Sequence, residues 1–490
     1  MGLLLPRLIE VEWSNTPTCC KTKPTVCFTT IGHGAVVGFP AILLPQLKEP
    51  GSYLTLTEEA GSWIASVTAI TLLLGSFMAP PIMGHLGRKI AHFVVILHIL
   101  VGWLVIILAK SIEVMIIGRI IHGMSFGLML PLRSVLIGEY TSPKNRGAFL
   151  TTISVTQAFG ILLVHLIGSC VSWQKTIIIL LSFPLASLLM TFYTPETPSW
   201  YADKGRYEQC RQVFRWLRGD EEEAELESMI NARAFKSDKT NIANCKDVVT
   251  LMKKKEFYKP IVIMVHSYLM GEFSGGALMS CYSTTVITLM AGPEVDAHFW
   301  MVALDAQRNI SNIIAVYVVN KVKRRTMMLS TGSLCILSSI AIAGYVYAKN
   351  TGMLTYTASW IPILLINVQF FTVAVGMVCL PYVIAGEIFP LEYRSLGGSI
   401  SIVSIACGFF LVTKTFPALE GAIGLHGAYT VYAAAMSYNL FVIWALLPET
   451  KDRTLQEIEE HFRGKPLRAE DIEVSQSLKN NKENVEKAIS

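Results

Sequence analysis

Apolar runs of about twenty residues recur from one end of this chain to the other, and they leave it few ways to fold. A helix needs roughly 20 residues to cross about 30 Å of hydrocarbon, where every backbone amide must find its partner within its own segment. The runs fall near 25–47, 62–82, 90–109, 113–137, 148–169, 175–194, 258–290, 298–319, 327–347, 356–386, 397–417 and 426–447. Hydrophobic residues make up 52% of the 490 and charged residues only 16%, where soluble domains carry about 25% charged. An all-α membrane protein with twelve transmembrane helices is predicted.

Lysine and arginine set the orientation, because loops rich in them stay cytoplasmic. They gather in alternate loops: Arg7, Lys21 and Lys23 before the first span, "GRK" at 87–89, "KNR" at 144–146, the segment 195–257, "KVKRR" at 321–325, Arg394 and the tail. The intervening loops hold the single lysines Lys48, Lys110, Lys175 and Lys349, or none, as at 291–297 and 418–425. Both termini are therefore expected to be cytoplasmic. The same bias accounts for the net charge of +5, and no basic stretch is interleaved with aromatics, so no nucleic-acid partner is expected. The sequence has no P-loop pattern, and it suggests no cofactor, metal or catalytic residue, so the chain is not read as an enzyme. Ten cysteines lie mostly in predicted spans or cytosolic segments and argue against a disulfide framework, with Cys19 and Cys20 expected to be reduced. The first span is expected to serve as the targeting signal.

A repeat organises the spans. "GEYTSPKNRG" at Gly138–Gly147 returns as "GEIFPLEYRSLG" at Gly386–Gly397, and 387 − 139 and 394 − 146 are both 248. "PETPSW" at 195–200 closes the sixth run and "PETKDRTLQEIEEHF" at 448–462 the twelfth, while "GRK" at 87–89 and "KRR" at 323–325 follow the second and eighth. Two pseudo-symmetric six-helix bundles follow, with a solute site between them near the membrane midplane. The expected division is a cytosolic N-terminus at 1–24, bundles at 25–194 and 258–447, a cytosolic helical linker at 195–257 and a cytosolic tail at 448–490. An acid and a base at matching cytoplasmic corners can bridge the bundles in one state and part in another, forming a gate. Alternatively, each pair pins the ends of its own helices.

These motifs resemble the sugar porter branch of the major facilitator superfamily, and most of all the facilitated trehalose transporters of insects. The resemblance spans roughly 25–462 and rests also on "GRIIHG" at 118–123, "GILL" at 160–163, "CYSTT" at 281–285, "LPYVIAGEIFPLEYR" at 380–394 and "TKTF" at 413–416. It implies the major facilitator fold and an inner gate of Arg88, Glu139, Arg146 and Glu196 with Arg324, Arg325, Glu387, Arg394 and Glu449, supported by Arg119 in the fourth span.

The chain departs from the family pattern at the sugar site, where amide side chains both donate to and accept from hydroxyls. The resemblance puts Ser154 at the fifth-span Gln, with Gln157 one turn on, and Glu272, Arg308 and Tyr382 at seventh-, eighth- and tenth-span polar or aromatic positions. These five are the implied substrate-binding residues. The eleventh-span "NW" becomes Ile405 and Ala406, and an acid expected four residues before the basic pair is Gly84 in one half and Asn320 in the other. A Glu272–Arg308 ion pair would offset two buried charges; Asp305, three residues before Arg308, competes for the same guanidinium. Arg133 faces water or the cavity, and His33 stands in the first span where no acid is found.

A facilitative uniporter of the plasma membrane, moving a sugar such as trehalose or a hexose by alternating access, is the leading expectation. A carrier of a charged or amphipathic solute, or a sensor that no longer turns over, are the competing ones. The implied partners are the lipid bilayer and the solute, with the chain itself a monomer.

Overall fold

Among the described residues of the computed structural model, ten helices are long and apolar enough to cross a membrane. Two facts turn ten into twelve. Ala297–Lys321 has the length of a span, but Asp305 and Arg308 dilute its hydropathy. Arg394–Leu446 is 53 residues of helix broken at Gly424, whose φ of 72° is the left-handed backbone that glycine adopts freely, so it supplies the eleventh and twelfth spans. The structure describes residues 23–463 apart from 53, 142, 220–221, 235–253, 355–359, 390–393, 452 and 454, and the side chains of 23, 143–151, 224, 228, 231–234, 320, 394–396, 399 and 455–456 also lie outside what it describes.

In chain order the spans are Lys23–Lys48, Glu58–Leu86, Arg88–Ile107, Ile112–Tyr140, Pro143–Cys170, Trp173–Tyr193, Lys255–Ala291, Ala297–Lys321, Arg324–Asn350, Trp360–Ile388 and the pair within Arg394–Leu446. Polar caps start several of them. Thr57 accepts the Ala60 amide at 3.2 Å ahead of Glu58 and Glu59, and Asp296 accepts the amides of His298 and Phe299 at 3.0 Å each. Within the first half, the first and fifth spans cross where Gly34 and Gly160 meet, and a Cβ on either would run into the other span's backbone. Leu104, Ile178, Leu189, Leu337 and Phe441 point outward to the lipid, and the exposed Tyr193, Trp360 and Trp444 stand at span ends, where aromatic residues favour the membrane interface.

Two spans depart from regular helix beside the midline. Glu272–Gly276 forms a π turn with Gly275 at φ 100°, and Val373–Val378 forms another in the tenth span. Irregular backbone inside a membrane is tolerated where it lines a cavity, and both segments do.

The two ends of the bundle differ in charge. The end holding Arg88, Arg324 and Arg325 is called the basic end here, and the opposite one the far end. At the far end a single buried core runs through both halves, joining Phe39, Ile42 and Trp103 of the first to Tyr282, Val286 and Phe416 of the second. A separate core fills the basic end of the second half, around Phe257, Met327, Leu380 and Phe389. Helices Pro198–Asp203, Tyr207–Arg218 and Glu223–Ala234 follow the sixth span around a small core of Ala202, Cys210, Phe214, Leu226 and Ile230. From them Arg218 reaches back to the carbonyls of Thr141 (2.8 Å) and Glu139 (3.3 Å). The seven described cysteines are free.

Candidate functional site

The corner motifs build the same device twice. Glu196 accepts the backbone amides of Arg88 (3.0 Å), Lys89 (3.0 and 3.2 Å) and Thr197 (2.9 Å), so its carboxylate caps the start of the third span. Burial raises the Glu196 carboxyl above its ordinary value, against the pull of these amides. In the second half Glu449 accepts the amides of Arg324 (2.8 Å) and Arg325 (3.2 Å). The freed guanidiniums then meet the repeated acid: Arg88 Nη2 lies 3.1 Å from Glu139 Oε1, and Arg324 Nη2 lies 3.0 Å from Glu387 Oε1. Thr450 holds the other Glu387 oxygen at 2.7 Å, and Arg325 donates to the Trp444 carbonyl at 2.9 Å. Each of these ion pairs is formed within one half. The side chains of Arg146 and Arg394 lie outside the described residues.

Arg119 is not part of this device. The fourth span starts at the far end, so Arg119 sits about 30 Å along the helix from Glu139, at 1.5 Å per residue. It is fully buried there and donates to the carbonyls of Val36 (2.6 Å) and Ile64 (3.0 Å). Support of the basic-end corners, implied by the resemblance, is thereby corrected: Arg119 cross-links the first, second and fourth spans.

Between the halves lies a cavity walled by both. Arg133, Ser154 and Gln157 face it from the first half, and Tyr268, Glu272, Ser280, Arg308, Asn312 and Tyr382 from the second, with Gly271, Ala277 and Ile405 between them. The five residues implied for the solute thus stand round one space, and Arg133 proves to be a cavity residue. His33 is buried away from the cavity, bonded to the Thr29 carbonyl (3.0 Å) and Ser125 (3.1 Å) and stacked on Phe126.

Neither expected partner of Arg308 takes it. Its Nη1 donates to Ser280 Oγ at 3.1 Å while Nε is buried with no partner. Asp305 turns instead to His165 Nδ1, 2.5 Å away on the other half. The Glu272 backbone amide continues the helix to Leu269 and Tyr268, while its carboxylate, which forms no ion pair among the described residues, lines the cavity. Residues 305 and 308 are less than a turn apart, yet their side chains reach different spans, Asp305 the fifth and Arg308 the seventh.

Ties between the halves gather toward the far end. Besides His165–Asp305, Thr284 donates to the Ala41 carbonyl (3.2 Å), Cys281 Sγ lies 3.7 Å from the Val37 carbonyl, and Lys414 Nζ donates to Ser62 (2.8 Å) over the Trp63 ring at 4.0 Å. Tyr282 OH closes onto the Thr413 carbonyl at 3.0 Å. The "CYSTT" and "TKTF" motifs therefore meet in this seal, a role that sequence reading missed. A lone His and a lone Asp inside two spans were the available signal for the His165–Asp305 contact.

Comparison with known proteins adds three findings. The family model described as "Sugar (and other) transporter" matches residues 28–462. Facilitated trehalose transporter Tret1 of Drosophila yakuba is 26% identical over 476 residues, covering 95% of this chain and 55% of the relative. Tret1 of Aedes aegypti is 25% identical over 475 residues, with 95% and 58% covered, so the chain spans a little over half the length of these two curated relatives. Among solved structures, the proton:xylose symporter XylE bound to 6-bromo-6-deoxy-D-glucose superposes with a TM-score of 0.69 at 17% identity, covering 91% of this chain and all of that one. The inward open conformation of XylE from E. coli gives 0.69 at 18% identity, covering 90% and 99%. At that identity the likeness shows the fold, which is the twelve-span major facilitator fold.

Proposed function

We propose, because this chain belongs to the sugar transporter family, that it carries a small polyhydroxylated solute such as trehalose or a hexose across a membrane by facilitated alternating access. The observation that carries this reading is a cavity walled by both halves, with ties between them gathered on its far side. A solute there meets hydroxyl, amide and guanidinium groups from both bundles, which suit the donor-and-acceptor character of sugar hydroxyls. Tyr268 and Tyr382, with ring centroids 5.5 Å apart, offer apolar faces for a sugar ring.

Rocking one bundle against the other would break the far-end ties and bring the basic ends together round the same solute. The corners of Arg88, Glu139 and Glu196, and of Arg324, Arg325, Glu387 and Glu449, would form the inner gate with Arg146 and Arg394. Their pairing within each half supports rigid bundle ends that meet and part as units. Arg308 engages Ser280 rather than Glu272, so no ion pair among the described residues plugs the cavity, which favours turnover over a sensing role. In this reading the basic end is cytoplasmic, both termini lie on that side, the membrane is the plasma membrane, and the carrier is a monomeric uniporter.

Uptake of labelled trehalose and hexoses into cells or proteoliposomes containing the full chain tests the proposal. Saturable uptake that equilibrates without accumulating is expected. No uptake and no counterflow for any sugar, with the protein folded and at the surface, would overturn it.

A further inference from the structure

Among the described residues the cavity is lined by two cations, Arg133 and Arg308, and only Arg308 stands near carboxylates, those of Asp305 and Glu272, though it pairs with neither. Arg133 is 6% exposed, and its guanidinium donates to the neutral Gln157 Oε1 at 3.1 Å and lies 6.0 Å from the centre of the Tyr382 ring. No described carboxylate comes within ion-pair distance of it. A buried guanidinium satisfied only by neutral groups inside a membrane protein is costly, and the cost falls when an anion docks against it. The cavity's other charges do not supply that anion from the protein. Glu272 and Arg308 both line it and offset one another in net charge, which leaves Arg133 as the excess.

We infer that the solute carries a carboxylate as well as hydroxyls: a sugar acid, with its carboxylate against Arg133. This rests on the reading of the chain as a sugar carrier and names the class within it. A guanidinium offers two parallel N–H groups to a carboxylate, a match that neutral hydroxyls cannot make. The polar groups around Arg133 would serve the rest of the molecule. Gln157 and Ser154 stand on its own half, and Ser280 and Asn312 face them from the other, placed for hydroxyls, while the faces of Tyr268 and Tyr382 suit a pyranose ring. Glu272 opposes a second negative charge, so a monoanion fits better than a dianion.

The test uses the full chain in proteoliposomes or expressing cells, with labelled glucuronate, gluconate, glucose, trehalose and a zwitterionic amino acid. Saturable uptake of glucuronate or gluconate, inhibited by the neutral sugars, is expected. Arg133→Gln is expected to shift the glucuronate-to-glucose uptake ratio about tenfold toward glucose, as loss of a charge-assisted pair predicts, and Arg133→Lys to restore part of it. Thermal stabilisation of the unmodified protein by glucuronate, read against glucose, gives the same comparison without a variant. Uptake of neutral sugars with sugar acids excluded would overturn this inference and leave the carrier reading standing. Equal loss of both solutes in Arg133→Gln, or uptake of the amino acid in their place, would also overturn it. Failure of every sugar and sugar acid to bind or enter would remove the carrier reading itself.

Discussion

His165 of the fifth span and Asp305 of the eighth meet at 2.5 Å across the two halves, both buried, with the other ring nitrogen of His165 at 3.0 Å from the Gly38 carbonyl. In the proposed alternating-access cycle, the contact exists only while the far end is closed. Removing one partner leaves the other buried and unpaired, so His165→Ala or Asp305→Ala is expected to cost the closed state about 3 kcal/mol. The far end should then open more often. Ile161, a buried cavity residue, converted to Cys in a background lacking the exposed Cys170 and Cys407, should label faster with an impermeant thiol reagent added at the far end. Unchanged labelling in both variants would reduce the pair to packing.

The capping acids give a prediction about stability. Glu196 and Glu449 each accept two or more backbone amides at the start of a span, the third and the ninth. Glu196→Gln and Glu449→Gln are each expected to lower stability by about 1–2 kcal/mol, because a charged acceptor at a helix N-terminus becomes neutral. Thermal unfolding in detergent reads the loss. Because the two corners are built alike, the two losses should be similar; a loss in one and none in the other would break the correspondence.

The spans, their number and the two-half plan were legible in the sequence because apolar length is a requirement of the bilayer and the 248-residue offset preserves the corners. Partner choice at the cavity was not. Local spacing couples Asp305 to Arg308, yet Asp305 finds a residue 140 positions earlier, and Arg308 a hydroxyl on the neighbouring span. Sequence periodicity reports which residues share a helix face and carries nothing about which face of another bundle will lie opposite. Arg119 illustrates a second limit: the resemblance attached it to the inner gate, whereas the fourth span begins at the far end and leaves it about 30 Å along the helix from Glu139.

The same contrast predicts the outcome of two double-mutant cycles. His165 and Asp305 touch, whereas Glu272 and Arg308 share a cavity without an ion pair within 4.0 Å among the described residues. A His165→Ala, Asp305→Ala cycle in a stability assay should give a coupling of about 1–3 kcal/mol, and a Glu272→Gln, Arg308→Asn cycle about 0.5 kcal/mol or less. A larger coupling for the cavity pair would mean that their charges are read together, and would weaken the assignment of the excess cation to Arg133.

The bend beside Glu272 makes the last prediction. Gly275 sits at φ 100° within the π turn, and a Cβ there would meet Gln369 Nε2 at 3.0 Å, a side chain already bonded to the Ser274 carbonyl at 3.1 Å and Ser339 at 3.0 Å. Gly275→Ala therefore combines an unfavourable backbone with a crowded neighbour and should destabilise the protein by about 1–3 kcal/mol. Because the turn sets where Glu272 points, solute uptake should fall with it. Gly344, helical in the ninth span with open space where a Cβ would go, is the comparison: Gly344→Ala should be neutral or raise stability by up to about 1 kcal/mol. Equal thermal stability of the two alanine variants would mean that the bend at Gly275 relaxes freely, and the irregular turn would then be a feature of sequence tolerance with no part in shaping the cavity.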